Sequence, residues 1–121
     1  MPVTNLLNKK CVPCEGGVEP LAKAKAGEYL KLIPGWKIAG ADKVINRSLA
    51  FNDFTAAIKF INQLAELAES ESHHPNFTLH DWNQVDIELS THAIGGLSEN
   101  DFILAAKINQ LLSFNNSQPK P

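Results

Sequence analysis

Histidines are the residues of this chain best suited to moving protons at neutral pH, and three of the four lie where a helix or strand should end. His73 and His74 are adjacent and precede Pro75, whereas His92 stands shortly before a Gly-Gly pair. An imidazole has an unperturbed pKa of about 6.5, so a group of histidines can offer both a proton acceptor and a proton donor. Elimination of water requires both. For each histidine taken singly, a surface or capping role remains the alternative.

Asp101 is a candidate functional acid near the predicted start of the last helix. Ser98 and Asp101 have the spacing of a capping box, in which a hydroxyl and an acid satisfy backbone N–H groups at a helix start. The box usually holds Glu or Gln at the second position, and Asp is shorter. Two interpretations follow: Asp101 caps a helix, or it orients a histidine or contacts a ligand.

Cys11 and Cys14 form the CxxC pair and are the only cysteines in the sequence. In a reducing compartment such a pair more often indicates thiols or a metal site than a structural disulfide. Two thiolates and two imidazoles can hold zinc tetrahedrally, so a small zinc-binding protein using Cys11 and Cys14 is an alternative. The sequence has no second CxxC and no HxxxH, and the adjacent His73 and His74 cannot easily bind one ion. We therefore predict no metal in the histidine site.

The composition indicates an ordinary soluble globular protein of one domain. The chain has 121 residues, of which 44% are hydrophobic and 20% are charged. A formal net charge of -2 provides no broad positive field, so we predict no nucleic-acid partner. No stretch approaches the ~20 apolar residues that cross a bilayer, and the first residues lack a signal-peptide pattern. We expect no membrane association and a cytoplasmic location.

The domain should follow an irregular arm. Residues 1–18 contain the CxxC pair, are interrupted by prolines and glycines, and are predicted to lie on or beside the domain. Residues 19–113 contain all the periodic segments and are predicted to form the domain. Residues 114–121 are polar and are predicted to form a flexible tail.

Two hairpins and three helices alternate within this domain. Apolar residues recur at helical spacing over residues 20–33, 54–68 and 104–112. Apolar and polar residues alternate over residues 36–51 and again over 85–89, which predicts two hairpins. Asn52 is placed to cap the second helix.

Strands that come in hairpin pairs imply an antiparallel sheet with the helices gathered on one face. The predicted class is therefore α+β: a four-stranded antiparallel sheet with three helices on one face, in the order α-β-β-α-β-β-α. Pro75 cannot continue a helix, so His73 and His74 should lie where the second helix gives way to a strand. The other sheet face is polar and leaves room for a partner subunit.

Several of these residues together resemble a known family. The run ESESHHP at residues 69–75, followed by Trp82 and by STHAIGGLSENDF at residues 90–102, closely resembles the signature of pterin-4a-carbinolamine dehydratases. PGW at residues 34–36 and the run over residues 47–54 are similar to that family's first hairpin and helix entry. The likeness spans roughly residues 19–112.

One spacing departs from the family pattern. Between Pro75 and Trp82 this chain holds one residue more than usual, which should widen the turn containing His80. His80 has no counterpart among the family's catalytic histidines, so we interpret it as a surface residue. The arm lies outside the resemblance, and we expect it to be dispensable for catalysis.

The resemblance implies an activity. Such enzymes act on the 4a-hydroxytetrahydropterin released by aromatic amino-acid hydroxylases and expel the 4a-hydroxyl with the N5 proton, giving the quinonoid dihydropterin. By position, His73, His74 and His92 would be the family's histidines, with Asp101 as a supporting acid. His73 and His92 would donate protons to the departing hydroxyl, while His74 would bind the ring and accept the proton.

The resemblance also implies the partners. Trp82 and Thr91 would join His74 in binding the pterin substrate, without a metal or any other cofactor. The chain should form a homo-dimer or homo-tetramer and be coupled functionally to an aromatic amino-acid hydroxylase. Some animal members of the family also bind a homeodomain transcription factor, so a non-enzymatic interaction or dimerisation module is the alternative. The three matching histidines favour catalysis.

Overall fold

A computed structural model describes residues 6–11 and 19–114 of the chain. Over these residues the strands are β1 (Lys37–Ala39), β2 (Val44–Ala50), β3 (Asn76–His80) and β4 (Gln84–Leu89). They form one antiparallel sheet in the order β1-β2-β4-β3. The helices are α1 (Lys23–Leu30), α2 (Phe54–Glu71) and α3 (Glu99–Phe114). The predicted α+β class, antiparallel sheet and element order are confirmed.

The alternation of side chains gives the sheet one apolar face and one polar face. On the helix-covered face the cross-strand pairs Ile45 with Leu89 and Leu49 with Val85 are apolar and buried, and Arg47 pairs with Ile87 between them. Pairs on the open face are polar: Asn46 with Glu88, and Ser48 with Asp86. Because successive residues of a strand point to opposite faces, this register places the core on one side only. None of the described helices is both long enough and apolar enough to cross a membrane.

Helix α1 is shorter than the predicted segment 20–33. Leu21 donates its N–H to the carbonyl oxygen of Leu97 at 2.9 Å, which holds the chain extended just before Lys23. Beyond Leu30 the backbone continues in short turns with bonds to the third preceding residue rather than the fourth. The hydrogen bond between Leu21 and Leu97 at one end, and the short turns after Leu30 at the other, therefore limit helix α1 to Lys23–Leu30.

Helix α2 begins at a cap that the sequence analysis misassigned. Asp53, not Asn52, is the N-cap: its backbone is extended, and its Oδ1 accepts the N–H of Ala56 at 2.7 Å. At the other end Ser72 adopts the left-handed conformation with φ of 55° and closes the helix. The chain therefore leaves α2 directly before His73, as predicted.

A tight turn joins β4 to α3. A 3₁₀ turn spans His92–Ile94, Gly95 follows in the left-handed region, and Thr91 pairs with Gly96 in an isolated bridge. A Cβ at Gly96 would lie 2.9 Å from the side chain of Pro20, so this close approach requires glycine. The turn returns the chain to α3 beside the end of β4.

The described part of the arm belongs to the core. Residues Leu6–Asn8 form a 3₁₀ turn that packs against α3. Leu6 is 4% exposed and Cys11 is 8% exposed, and both join the main hydrophobic cluster. Cys14, the rest of the arm and the predicted tail after residue 114 lie outside the described residues.

Candidate active site

Asp101 occupies the first turn of α3 with its side chain fully buried. Its Oδ2 accepts the N–H of Ser98 at 2.9 Å and the hydroxyl of Thr91 at 2.8 Å. Its Oδ1 lies 2.7 Å from Nε2 of His73. Both interpretations of the capping-box pattern therefore hold, because one carboxyl group caps the helix and contacts a histidine.

The hydrogen bonds of Asp101 bear on the tautomer of His73. We assign Asp101 as the accepting carboxylate in the bond to His73, as it is in its two bonds through Oδ2. A carboxylate only accepts hydrogen bonds, so Nε2 of His73 carries the hydrogen in this bond. Nδ1 is then the ring nitrogen left for a reacting group. His73 is thus a mostly buried imidazole in a defined orientation.

Thr91 links the end of β4 to the start of α3. Its hydroxyl accepts from the Ser98 hydroxyl at 2.8 Å and donates to Asp101, so its only hydrogen is already engaged. Thr91 is buried, yet it also lines a surface concavity next to His92. The structure therefore gives Thr91 a positioning contact with Asp101 in addition to its predicted place at the substrate.

His92 is exposed at the start of the 3₁₀ turn. It opens onto a shallow pocket of about 240 Å³. The lining is glycine-rich and mixes polar with apolar surface, and it consists of Lys43, Val44, Ser90, Thr91, His92, Gly95 and Gly96. Lys43 comes from the turn between β1 and β2, and no pattern in the sequence pointed to it. A larger concavity of about 350 Å³ lies on the open sheet face and contains none of the predicted site residues.

His74 diverges from its neighbour. Its Nε2 donates to Oε2 of Glu69 at 2.6 Å, and both side chains are exposed at the end of α2. His73 and His74 therefore contact different acids, one buried and one in water. Within residues 6–11 and 19–114 no group of three or more His, Cys, Asp or Glu side chains is arranged to hold a metal ion.

Trp82 lies at the other end of the β3–β4 hairpin. It is 61% exposed in the turn between these strands. The register pairs Asn76 with Glu88 near the histidines and His80 with Gln84 near Trp82. At ~3.3 Å per strand residue, Trp82 lies on the order of 25 Å from Thr91. One chain does not bring Trp82 to the other predicted residues, and its part in substrate binding stays a prediction.

His80 lies beside Trp82 and contacts two acids. Its Nδ1 lies 2.9 Å from Oδ2 of Asp81 and its Nε2 lies 2.9 Å from Oδ2 of Asp86, so the protonated ring can donate to both acids. The hydrogen bond to Asp81, followed by that to Asp86, raises the pKa of His80 above its ordinary value. The residue is on the surface, as the sequence analysis predicted, and distant from the His73–Asp101 pair.

Cys11 is a packed thiol. Its Sγ donates to the carbonyl oxygen of Asn100 at 3.5 Å. Burial, with a further contribution from Glu71, raises the pKa of Cys11 to about 12, so the thiol is neutral at neutral pH. Zinc binds the thiolate rather than the thiol. Cys14, the second ligand of the zinc alternative, lies outside the described residues.

The family model of pterin 4 alpha carbinolamine dehydratase matches residues 19–111, which include His73, His74, His92 and Asp101. The chain belongs to the pterin 4 alpha carbinolamine dehydratase family. This family of hydro-lyases is the one that the resemblance indicated. The chain is therefore an enzyme of the dehydratase class. The region that matches the family model contains the buried His73–Asp101 pair.

Curated relatives and a solved structure agree with this family. A protein of Nitrosomonas eutropha named pterin-4-alpha-carbinolamine dehydratase is 46% identical over 111 residues, covering 91% of this chain and 96% of that protein. A mitochondrial pterin-4-alpha-carbinolamine dehydratase of Arabidopsis thaliana is 45% identical, covering 90% of this chain and 60% of that longer protein. The first alignment has to begin within residues 1–18, so this likeness includes part of the arm.

The solved structure is a protein of Brucella melitensis described as a transcriptional coactivator/pterin dehydratase. It superimposes with a TM-score of 0.71 at 34% identity, covering 77% of this chain and 98% of that one. The likeness supports the dehydratase fold.

Proposed function

We propose that this chain catalyses the dehydration of a 4a-hydroxytetrahydropterin to the quinonoid dihydropterin. The C4a–O bond breaks, the N5–H bond breaks, and the electron pair of N5 forms the C4a–N5 double bond as water departs. The observation that carries the proposal is the buried hydrogen bond between His73 and Asp101 in a member of this family. Asp101 holds the imidazole through Nε2, and Nδ1 exchanges a proton with the substrate.

The other two histidines complete the proton transfers in this proposal. The departing hydroxyl takes up one proton, from His73 or from His92 according to the face of the pterin on which it leaves, and His74 binds the pterin ring and accepts the N5 proton. His92 and Thr91 line the same pocket, and the Thr91 hydroxyl donates a hydrogen bond to Asp101. The adjacent nitrogen drives out the leaving group, so proton donation and removal suffice. General acid–base assistance of this kind contributes about 10²- to 10⁴-fold.

The physiological setting belongs to the same proposal. An aromatic amino-acid hydroxylase would supply the substrate, and the cytoplasm is the expected compartment. A second copy of the chain would cover the open sheet face, its edge strand or a helix, forming a dimer or tetramer. Sedimentation at micromolar concentration tests the oligomer, and a purely monomeric species would contradict it.

The decisive experiment is a stopped-flow assay of 4a-carbinolamine breakdown. We expect the wild-type protein to accelerate the reaction, His73→Ala to lose about 10²- to 10⁴-fold in rate, and His80→Ala to remain near wild type. Activity should survive a strong chelator. The proposal fails if the wild-type protein does not accelerate breakdown, or if chelation abolishes turnover and zinc restores it.

A second candidate function is an interaction module, favoured by the description of the Brucella melitensis protein as a coactivator. The stopped-flow assay separates the two candidates, because a pure binding module would not accelerate carbinolamine breakdown.

A further inference from the structure

The arm makes its hydrogen bonds beside the His73–Asp101 pair. Lys9 Nζ donates to Oε2 of Glu99 at 2.6 Å, and Lys10 Nζ donates to the carbonyl oxygen of Ser70 at 2.7 Å. Ser70 precedes His73 by three residues and Glu99 precedes Asp101 by two. The arm therefore contacts the two segments that carry the pair, namely the end of α2 and the start of α3.

Glu71 is the centre of these contacts. Its Oε1 accepts the backbone N–H of Cys11 at 2.9 Å, and its Oε2 accepts Nζ of Lys107 at 2.6 Å. Glu71 is the last residue of α2, and Lys107 lies in α3. The carboxylate is buried, so its two bonds replace the water that it lost on folding. One side chain therefore ties the arm, α2 and α3 together.

The location of His73 explains why such a tie matters. His73 follows Ser72 in the short connection between α2 and β3, whereas Asp101 belongs to the first turn of α3. Their hydrogen bond therefore joins the end of α2 to the start of α3, and strand pairing does not align these two helix ends. Buried Leu6 and Cys11 fill the space beside these ends and keep the arm in place.

We propose that the arm segment Leu6–Cys11, anchored on Glu71, is a positioning element that holds the end of α2 against the start of α3 and so maintains the His73–Asp101 geometry. This role rests on the proposed function of that pair. It stands against the expectation that the arm is dispensable, and the experiments below decide between the two. Glu71 acts through His73 and Asp101 and does not touch the substrate. Misplacement of a catalytic group by about 1 Å can cost about 10²-fold in rate.

The main test compares Glu71→Gln with Glu66→Gln in the full-length protein. Both substitutions replace a carboxylate of α2 by an amide of the same shape, but Glu66 is exposed and accepts none of the arm hydrogen bonds named above. We expect Glu71→Gln to lower kcat by about 10- to 100-fold with little change in KM, whereas Glu66→Gln should stay within about twofold of wild type. The assays are run well below the thermal midpoint of each variant.

Amide hydrogen exchange distinguishes a local effect of Glu71→Gln at the two helix ends from destabilisation of the whole fold. The N–H of His73 donates to the carbonyl oxygen of Ala68, and the N–H of Ser98 donates to Asp101. In Glu71→Gln we expect exchange at these two amides to rise about tenfold, with exchange at Ile87 in the central strand unchanged. Equal acceleration at all three amides, or an unchanged kcat, would overturn the proposal.

A second pair of variants covers the case in which Glu71→Gln does not fold. Lys9→Ala/Lys10→Ala removes two bonds of the arm from exposed side chains, and Lys37→Ala/Lys59→Ala removes the same charge elsewhere. The first pair should lower kcat and accelerate the same two amides, Lys9→Arg/Lys10→Arg should restore both, and the control should change neither. Wild-type kinetics and exchange in Lys9→Ala/Lys10→Ala would refute the positioning role.

These outcomes also separate this proposal from the proposed function. A wild-type protein without dehydratase activity would overturn the function, while the exchange measurements would still show whether the arm orders the pair. An active wild-type protein that loses activity in His73→Ala but not in the arm variants would overturn the positioning role alone.

Discussion

The two ends of the β3–β4 hairpin each carry a histidine hydrogen-bonded to aspartate, and the two sites differ in their surroundings. His73 lies 2.7 Å from Asp101, and His80 lies 2.9 Å from each of Asp81 and Asp86. The side chains of His73 and Asp101 are 12% and 0% exposed, whereas that of His80 is 36% exposed between two solvated acids. Distance alone does not distinguish a site from a surface pair.

The difference lies in what holds the acid. Asp101 is fixed by Ser98 and Thr91, which belong to segments other than that of His73, so the carboxylate is in place independently of the histidine. Asp81 and Asp86 belong to the same hairpin as His80, and water competes for them. A buried, multiply held acid orients an imidazole, whereas an exposed pair contributes little.

Exchanging each acid for its amide should give the largest contrast between the two ends. Asp101→Asn keeps the shape but offers an NH₂ group where a donor now points, so dehydration should fall by about 10²- to 10⁴-fold. Asp86→Asn should leave the rate within about twofold of wild type. Stopped-flow kinetics measure both, and equal losses at the two ends would show that burial does not separate them.

Removing a support of Asp101 should have an intermediate effect. Thr91→Val deletes the hydroxyl that donates to Asp101 and accepts from Ser98, so the free energy of unfolding should fall by roughly 1–3 kcal/mol. Thr78→Val changes an exposed threonine of β3 in the same way and should cost less than about 0.5 kcal/mol. Urea unfolding followed by fluorescence measures both free energies of unfolding, and similar losses in the two variants would contradict the supporting role of Thr91.

Acid should weaken the helix ends at the buried site. Burial raises the pKa of Glu71, but the hydrogen bonds from Lys107 and Cys11 outweigh it and lower the pKa below the ordinary 4.5. The stability that Glu71 contributes is therefore fully present above pH 4.5 and is lost as the pH falls through the lowered value. The stability difference between wild type and Glu71→Gln should shrink over that range. A difference independent of pH would show that the carboxylate charge is not involved.

The exposed end should give the smallest effect, with the opposite pH dependence. Because the folded pKa of His80 is raised, the stability that it contributes is present below pH 6.5 and is lost as the pH rises through the raised value. His80→Asn should lower the thermal midpoint slightly at pH 5.5 and not at pH 9, and salt should reduce the change. A larger effect at pH 9 would show that His80 stabilises the fold as the neutral imidazole.

Local patterns were sufficient for much of the fold and for part of the site. The apolar stripe of α2 and Pro75 placed His73 at the exit of a helix, and the spacing of Ser98 and Asp101 predicted the cap that the structure shows. The N-cap of α2 was misassigned to Asn52, because two neighbouring residues can both cap and only the backbone conformation selects Asp53. Short-range preferences leave such choices open.

The sequence by itself determined the α+β class, the antiparallel hairpins and the membership of the dehydratase family, because these depend on periodicity and on residues close in the chain. Only the tertiary structure decided that His73 contacts Asp101 while His74 contacts Glu69, and that Glu71 joins the arm to both helices. These contacts link residues far apart in sequence or choose between adjacent side chains. Packing of the helices and the arm sets the burial and direction of these side chains, and the spacing of residues along the chain does not encode that packing.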